Sequence, residues 1–254
     1  MNYLYAIIFS IILFLTGSLS SQTPEDIKKD LPKMLGASNM GKEFYMTFHP
    51  CWEETGENNS IRIYVSSNEA TVVKLSIPAL GYEEFKTTIP NDVIEFKLEP
   101  EQALCYRKTD REPPLPEQVW LGKGIIITAD QPIIAYGVTR YKYTSDGYLA
   151  LPKSSLGTEY IVAAWQDIIH DTEENKVQWL PSYTSVVAAY NNTVVDFILG
   201  GTVNTTTPGG LEPGDTATAV LQKGDVWLLP SKGFKADLTG SKITSSKPVS
   251  VISG

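Results

Sequence analysis

One phrase written twice constrains this chain more than any other feature. "ITADQPIIAYG" (Ile127–Gly137) returns as "ITSSKPVSVIS" (Ile243–Ser253) with the same spacing from isoleucine to proline. Three further pairs precede it in the same order. "GKEFYMTF" (Gly41–Phe48) matches "GTEYIVAA" (Gly157–Ala164), "NEATVVKL" (Asn68–Leu75) matches "YNNTVVDF" (Tyr190–Phe197), and "NDVIEFKL" (Asn91–Leu98) matches "GDVWLLPS" (Gly224–Ser231). The offset is 116 residues at Gly41/Gly157 and again at Pro132/Pro248. That period is far longer than the roughly 20–50 residues of solenoids and propellers, so it reads as duplication of a whole domain. Phe44 should then overlay Tyr160, Val72 Val194, and Ile133 Val249, because a slip of one residue would turn each strand's apolar set to the wrong face.

The repeated segments are short, alternating or apolar, and rich in β-branched and aromatic residues, which is strand character. No long helical period occurs between Gly41 and Gly254. The predicted fold is all-β: two tandem antiparallel sandwich-like domains at 41–137 and 157–254, joined by a tyrosine-rich connector, 138–156. The segments Thr128–Pro132 and Thr244–Pro248 are each expected to be a polar turn, with proline fixing φ just before the last strand. The offset rises to 133 at Asp92/Asp225, so the first copy carries 17 extra residues, within "EPEQALCYRKTDREPPLPEQ". Its proline and charge content predicts a surface loop. "GGTVNTTTPGGLEPGD" (Gly200–Asp215) predicts a long mobile loop in the second copy. In the connector, Leu149, Leu151 and Leu156 are too apolar for a free linker and are expected to pack at the domain junction, with Asp146-Gly147 supplying a tight turn.

Upstream, residues 1–21 read as a secretory signal. An apolar run of 13 residues, Tyr3–Leu15, is followed by Gly17, Ser18, Ser20 and Ser21. That is short of the ~20 a spanning helix needs, although no Lys or Arg precedes it; the alternative is an uncleaved anchor. Residues 22–40 form a polar arm. Export places Cys51 and Cys105 in an oxidising compartment, where a bridge would staple the inserted segment to its own domain; two unconnected buried thiols are the other reading. The formal net charge of −8 argues against a nucleic-acid surface, and no membrane span is expected in the mature chain.

The stretch "ITADQPIIAYGVTRYKYTSDGYLALPKSSLGTEYIVAAW" resembles the immunoglobulin G Fc-binding protein N-terminal domain family. Its most distinctive part is "DGYLALPKSSLGTEY", and the closing phrase Leu238–Gly254 fits the same pattern. The resemblance runs from about Gly41 to Gly254. It implies an extracellular or cell-surface module with no catalytic residues and no cofactor, met in secreted bacterial proteins. The family pattern continues past "SG", so the sequence reads as part of a longer surface protein. Fc binding itself is not carried over, because no contacting motif is available to map.

The chemistry-bearing residues are few. Only His49 and His170 occur, and there is no H-x-x-x-H, C-x-x-C or G-x-S-x-G. Zinc, redox and hydrolase-elbow signatures are therefore missing. Glu43 and Glu159 match between copies, which favours a repeated structural role over one catalytic pair. Tyr141, Tyr143, Asp146, Tyr148 and Trp165 form the candidate ligand surface, with Trp52 and Trp120 as further aromatic groups. Such rings suit a platform for an extracellular protein or glycan; alternatively they fill the junction between the domains. The function expected is a secreted, non-catalytic binding or adhesion module. A carbohydrate-active enzyme and a structural spacer are the alternatives.

Overall fold

The computed structural model describes residues 39–50, 59–109, 111–141, 145–167 and 179–254. The expected signal segment, all but the last two residues of the arm, and Cys51, Trp52, Tyr143 and His170 lie outside the described residues. Fourteen strands are described: β1 (Gly41–Met46), β2 (Ser60–Ser66), β3 (Val72–Ile77), β4 (Tyr82–Thr87), β5 (Val93–Leu98), β6 (Gln118–Trp120), β7 (Ile125–Arg140), β8 (Ser145–Leu149), β9 (Gly157–Ile161), β10 (Tyr183–Ala188), β11 (Thr193–Ile198), β12 (Thr216–Leu221), β13 (Val226–Pro230) and β14 (Lys242–Ser253). A single-turn helix, α1 (Pro100–Ala103), follows β5. The all-β, antiparallel fold class read from the sequence is what is found.

The strands make two seven-stranded antiparallel sheets. The first runs β4-β3-β7-β2-β5, with β1 and β8 also on β7; the second runs β12-β11-β14-β10-β13-β6, with β9 on β14. The first five positions correspond strand for strand, and so do the registers. Gly41 faces Ile133 and Phe44 faces Ile127, as Gly157 faces Val249 and Tyr160 faces Ile243. Leu75 faces Ile127 and Phe197 faces Ile243. Val65 pairs Ala135 and Ile94, as Val186 pairs Val251 and Trp227.

Alternation explains the burial. In β3, Val73, Leu75 and Ile77 are fully buried while Val72, Lys74 and Ser76 point outward. Each sheet encloses its own apolar core, one around Phe44, Ile63, Leu75 and Phe96, the other around Val186, Phe197, Leu229 and Ile243. β10 and β13 are instead buried on both faces. Val186 and Trp227 point into the second core; Tyr183, Val187, Val226 and Leu228 meet Tyr45, Ile126 and Cys105 in a third cluster between the sheets. This is why "YTSVVA" and "VWLLP" lack a polar alternation: both sides have a protein neighbour. The backbones come close there. Gly124 N–H donates to Gly224 O at 2.8 Å, and a Cβ on Gly124 would sit 2.7 Å from that oxygen.

Four local expectations change. The inserted segment is not simply a surface loop. Ala103, Leu104 and Cys105 are buried, and β6 pairs with β13, covering an edge that would otherwise expose unpaired backbone. Thr128–Pro132 makes no turn, because β7 runs unbroken through it while its partners change from β3 to β2. Side chains meet the backbone groups freed at the changeover: Gln131 N–H donates to Thr71 Oγ1 at 3.0 Å and Ser67 Oγ to Pro132 O at 2.8 Å. The Gly200–Asp215 loop is tied down. Glu117, from the insertion, accepts from Thr207 Oγ1 at 2.9 Å and Gly209 N–H at 3.0 Å. In the connector, residues 138–140 finish β7 and 145–149 form β8. Leu156 packs on the third cluster and Leu149 is half-buried, but Leu151 is 42% exposed.

Candidate functional site

A cavity of about 380 Å³ opens where the ends of the two sheets meet. The segment after β1 contributes Thr47, Phe48, His49 and Pro50; β8 contributes Asp146, Gly147 and Tyr148. From the second sheet come Trp165 and Gln166 after β9, Trp179, Leu180 and Pro181 leading into β10, Tyr183 at its start, and Ile252–Gly254 at the end of β14. Lys108, from the insertion, and Thr139, of β7, complete the described wall. The volume lies in the range of about 300–1,000 Å³ usual for ligand sites.

Three of the five residues expected from the sequence, Asp146, Tyr148 and Trp165, line this cavity. Their roles differ. Tyr148 is fixed: its hydroxyl donates to Thr47 O at 2.7 Å and accepts from Thr47 N–H at 3.2 Å, and its ring lies 5.6 Å from Phe48. Burial pushes its phenol well above the ordinary range, so it stays neutral. Asp146 is exposed, and its Oδ1 accepts from Gly147 N–H at 2.7 Å. Trp165 stands at the mouth, 69% exposed. Tyr141 is buried and is not among the walls. Trp120 stacks on Tyr106 in the third cluster, centroids 5.7 Å apart. Cys105 is buried, and burial pushes its thiol up to about 12; Cys51, the partner expected from the sequence, lies outside the described residues.

Sequence reasoning passed over the groups that give the cavity its polarity. His49 lies against the Tyr183 ring, centroids 5.4 Å apart and tilted by 31°. Burial lowers its pKa to about 4, against the opposing effect of a hydrogen bond to the Ile252 backbone. Its Nε2 is buried without a partner, so the neutral ring donates through Nδ1 and leaves Nε2 as a bare acceptor. Lys108 is only 5% exposed and donates to Trp179 O at 2.7 Å and Thr109 O at 2.9 Å. Near it, burial raises the Asp167 carboxyl to about 7, an effect the Lys108 charge partly offsets; neither carboxyl oxygen has a hydrogen-bond partner. One signal was available. The 116-residue offset makes His49 the counterpart of Trp165, and both line the one cavity.

A second groove, at Lys42, Glu43, Pro152, Lys153, Ser154 and Tyr190, holds a charge cluster. Glu43 accepts from Lys153 Nζ and Lys223 Nζ at 2.9 Å each and from the Tyr45 hydroxyl. Burial works against its ionisation, but these donors outweigh it and hold the carboxyl at about 2. Among the described residues there is no cluster of three His, Cys, Asp or Glu side chains able to hold a metal, and no helix is long and apolar enough to cross a membrane.

The cavity's walls from β8 to β14 coincide with a recognisable segment. Residues 146–254 match the family model of the IgGFc binding protein. The most distinctive parts of the resemblance, "DGYLALPKSSLGTEY" and Leu238–Gly254, lie inside this IgGFc binding match, which begins at Asp146, whereas the resemblance read from the sequence runs from about Gly41. Asp146, Tyr148 and Trp165 fall within it and Tyr141 before it. No curated protein and no solved structure matches the chain.

Proposed function

We propose that this protein is a secreted or cell-surface binding module without catalytic activity, and that it takes an extracellular protein or glycan ligand at the cavity where its two sheets meet. The observation that carries the reading is the wall itself: aromatic and aliphatic side chains from both sheets around one concave site, with Trp165 69% exposed at its mouth. Exposed tryptophan beside a buried apolar pocket is the usual chemistry of a recognition hot spot. The IgGFc binding match is to a family of binding modules and agrees with this.

The chain is read as a duplicated β-domain, a reading supported by the identical strand order and register of the two sheets. Residues 1–21 are read as a cleaved signal, and Cys51–Cys105 as a bridge formed after export. Immobilised mature chain should retain specific members of a glycan and protein array without altering them, and Trp165→Ala should lose them. Turnover of a glycan would make the protein a carbohydrate-active enzyme, and an array without retention would make it a spacer.

A further inference from the structure

The first sheet docks on the second through one row of side chains, and the second sheet carries the corresponding row facing solvent. In β1 and just beyond it, Phe44, Met46 and Phe48 enter the first core, so the alternate residues Glu43, Tyr45, Thr47 and His49 point the other way. Glu43 accepts from Lys223, and Tyr45 is 1% exposed in the cluster with Val187, Val226 and Leu228. Thr47 is buried, and His49 lies against Tyr183. The 116-residue offset and the matching registers make Glu159, Ile161, Ala163 and Trp165 their counterparts. Tyr160 and Val162 pack on the second core, as Phe44 and Met46 enter the first. The four counterparts are all exposed, Ile161 by 68% and Trp165 by 69%. Contiguous apolar surface of this kind marks an interaction site.

We infer that Glu159, Ile161, Ala163 and Trp165 form a second docking face, and that its occupant is a further β-domain of the same build in tandem, seated on β9 as the second sheet is seated on β1. This rests on the duplication reading above and not on what the cavity holds. The interface already present joins two different surfaces, one face of β1 and the outer face of β10 and β13. Such an interface repeats along a row of domains and does not close on itself. A second molecule of this chain is a poor occupant. Its own first sheet already covers its β10–β13 face. The equivalent positions of the first sheet carry Arg62 where Tyr183 stands and Glu95 where Leu228 stands, joined as an ion pair, and seating that pair on Ile161 would desolvate both charges. The occupant therefore presents aliphatic side chains from adjacent strands, with a lysine or arginine at one end for Glu159, the part that Lys223 plays for Glu43. Lys242 stands where the first sheet has Ile126 and comes only to 4.0 Å from Glu159. That carboxylate has room for a second cation, as Glu43 takes two.

The test extends the whole mature chain by repeating residues 139–254 after Gly254, so that the added unit follows β14 as the second unit follows β7. The added unit carries Trp165→Ser, which makes its peptides separable by mass. Hydroxyl-radical footprinting then reads side-chain exposure. In the unextended chain Ile161 and Trp165 should label strongly at every protein concentration. In the extended chain their labelling in the middle unit should fall by about fivefold or more, since Tyr45, the counterpart of Ile161 in the described pair, is 1% exposed. Ile161→Asp in the middle unit should restore the labelling of Trp165. Unchanged labelling beside an added unit whose Trp227 is protected overturns the inference. So does protection of Ile161 and Trp165 in the unextended chain as its concentration rises, which would make the face a contact between two molecules. Should the added unit not fold, the unextended chain with Tyr45→Ile, Thr47→Ala and His49→Trp decides the matter, because it offers the side chains of the β9 face to the second sheet. Val187 and Leu228 should then stay as protected as in wild type, and labelling of either raised by about fivefold overturns the inference. Retention on the array by the unextended chain reports the cavity alone, so a blank array beside a protected face would sink the binding-module reading and leave this one standing.

Discussion

Glu43 should be the charge that holds the two sheets at their present angle, and its removal should be felt only where it is ionised. Its carboxylate, on β1 of the first sheet, accepts from Lys223 at the β12–β13 turn of the second and from Lys153 of the connector, both at 2.9 Å. Its pKa falls from 4.5 to about 2: burial works against ionisation, and hydrogen bonds from Tyr45, Lys153 and Lys223 overcome it. Taken whole, that difference is worth roughly 3 kcal/mol. The Glu43 side chain is 24% exposed and its Lys223 partner 43%, so solvent screening brings the contribution to about 1–2 kcal/mol. The folded value is depressed, so this stability is present above pH ~4.5 and is lost as pH falls from there toward 2. Glu43→Gln keeps an acceptor for Tyr45 and deletes only the charge. In urea unfolding it should cost about 1–2 kcal/mol at pH 7, a few degrees in Tm, and nothing measurable at pH 2. Glu159→Gln is the internal control. Its carboxylate is 74% exposed and stands 4.0 Å from Lys242, so its loss should cost under about 0.5 kcal/mol. An unchanged Glu43→Gln at pH 7, or a deficit that persists at pH 2, would refute the electrostatic account.

Asp167 carries the opposite sign. Burial raises its carboxyl from 3.8 to about 7, so ionisation penalises the fold from pH ~4 upward and fully above 7; Asp167→Asn should be neutral near pH 4 and more stable than wild type by about 1–2 kcal/mol at pH 8, measured by denaturant titration at both values. Gly124→Ala should destabilise the protein by about 1–3 kcal/mol, because its methyl would lie 2.7 Å from Gly224 O and 2.9 Å from Val187 Cγ1; a variant as stable as wild type would mean the sheets can part at no cost. A Cys51–Cys105 bridge predicts no titratable thiol in unfolded, unreduced protein, and two thiols would disprove it. The count must be made unfolded, because burial holds a Cys105 thiol near 12 and silent at neutral pH.

What could be read from the sequence was whatever repeats along it. "TVVKLSI" alternates, so its buried residues are legible without neighbours. β10 and β13 read only as apolar runs. Their second buried face depends on Tyr45, Cys105 and Ile126, all more than fifty residues away in sequence, and no local period records that. The insertion was misjudged for the same reason. "EPEQALCYRK" looks polar on average, but its three central residues, Ala103, Leu104 and Cys105, go inside, and composition averaged over a loop conceals a short apolar plug. Among the candidate site residues, Asp146 and Tyr148 are legible as turn and aromatic residues in the connector, and Trp165 as one of only five tryptophans in the chain. His49 and Lys108 were not, because a lone histidine and a lone lysine acquire meaning only from what closes around them.

Corresponding positions in the two sheets do different work, and the differences gather where the sheets touch. Glu43 ties the sheets together, whereas Glu159, sixteen and a hundred residues on, faces water. His49 is packed against Tyr183 with its Nε2 buried, whereas its counterpart Trp165 is outward at the mouth of the same cavity. The first sheet alone has a long segment between β5 and β7, and that segment supplies β6 to the second sheet, Glu117 to the second sheet's loop and Lys108 to the cavity. A single β-domain could carry none of these arrangements, since each needs a partner sheet. The cavity is therefore a property of the pair, and it should vanish in either half expressed alone, even where that half retains its own core.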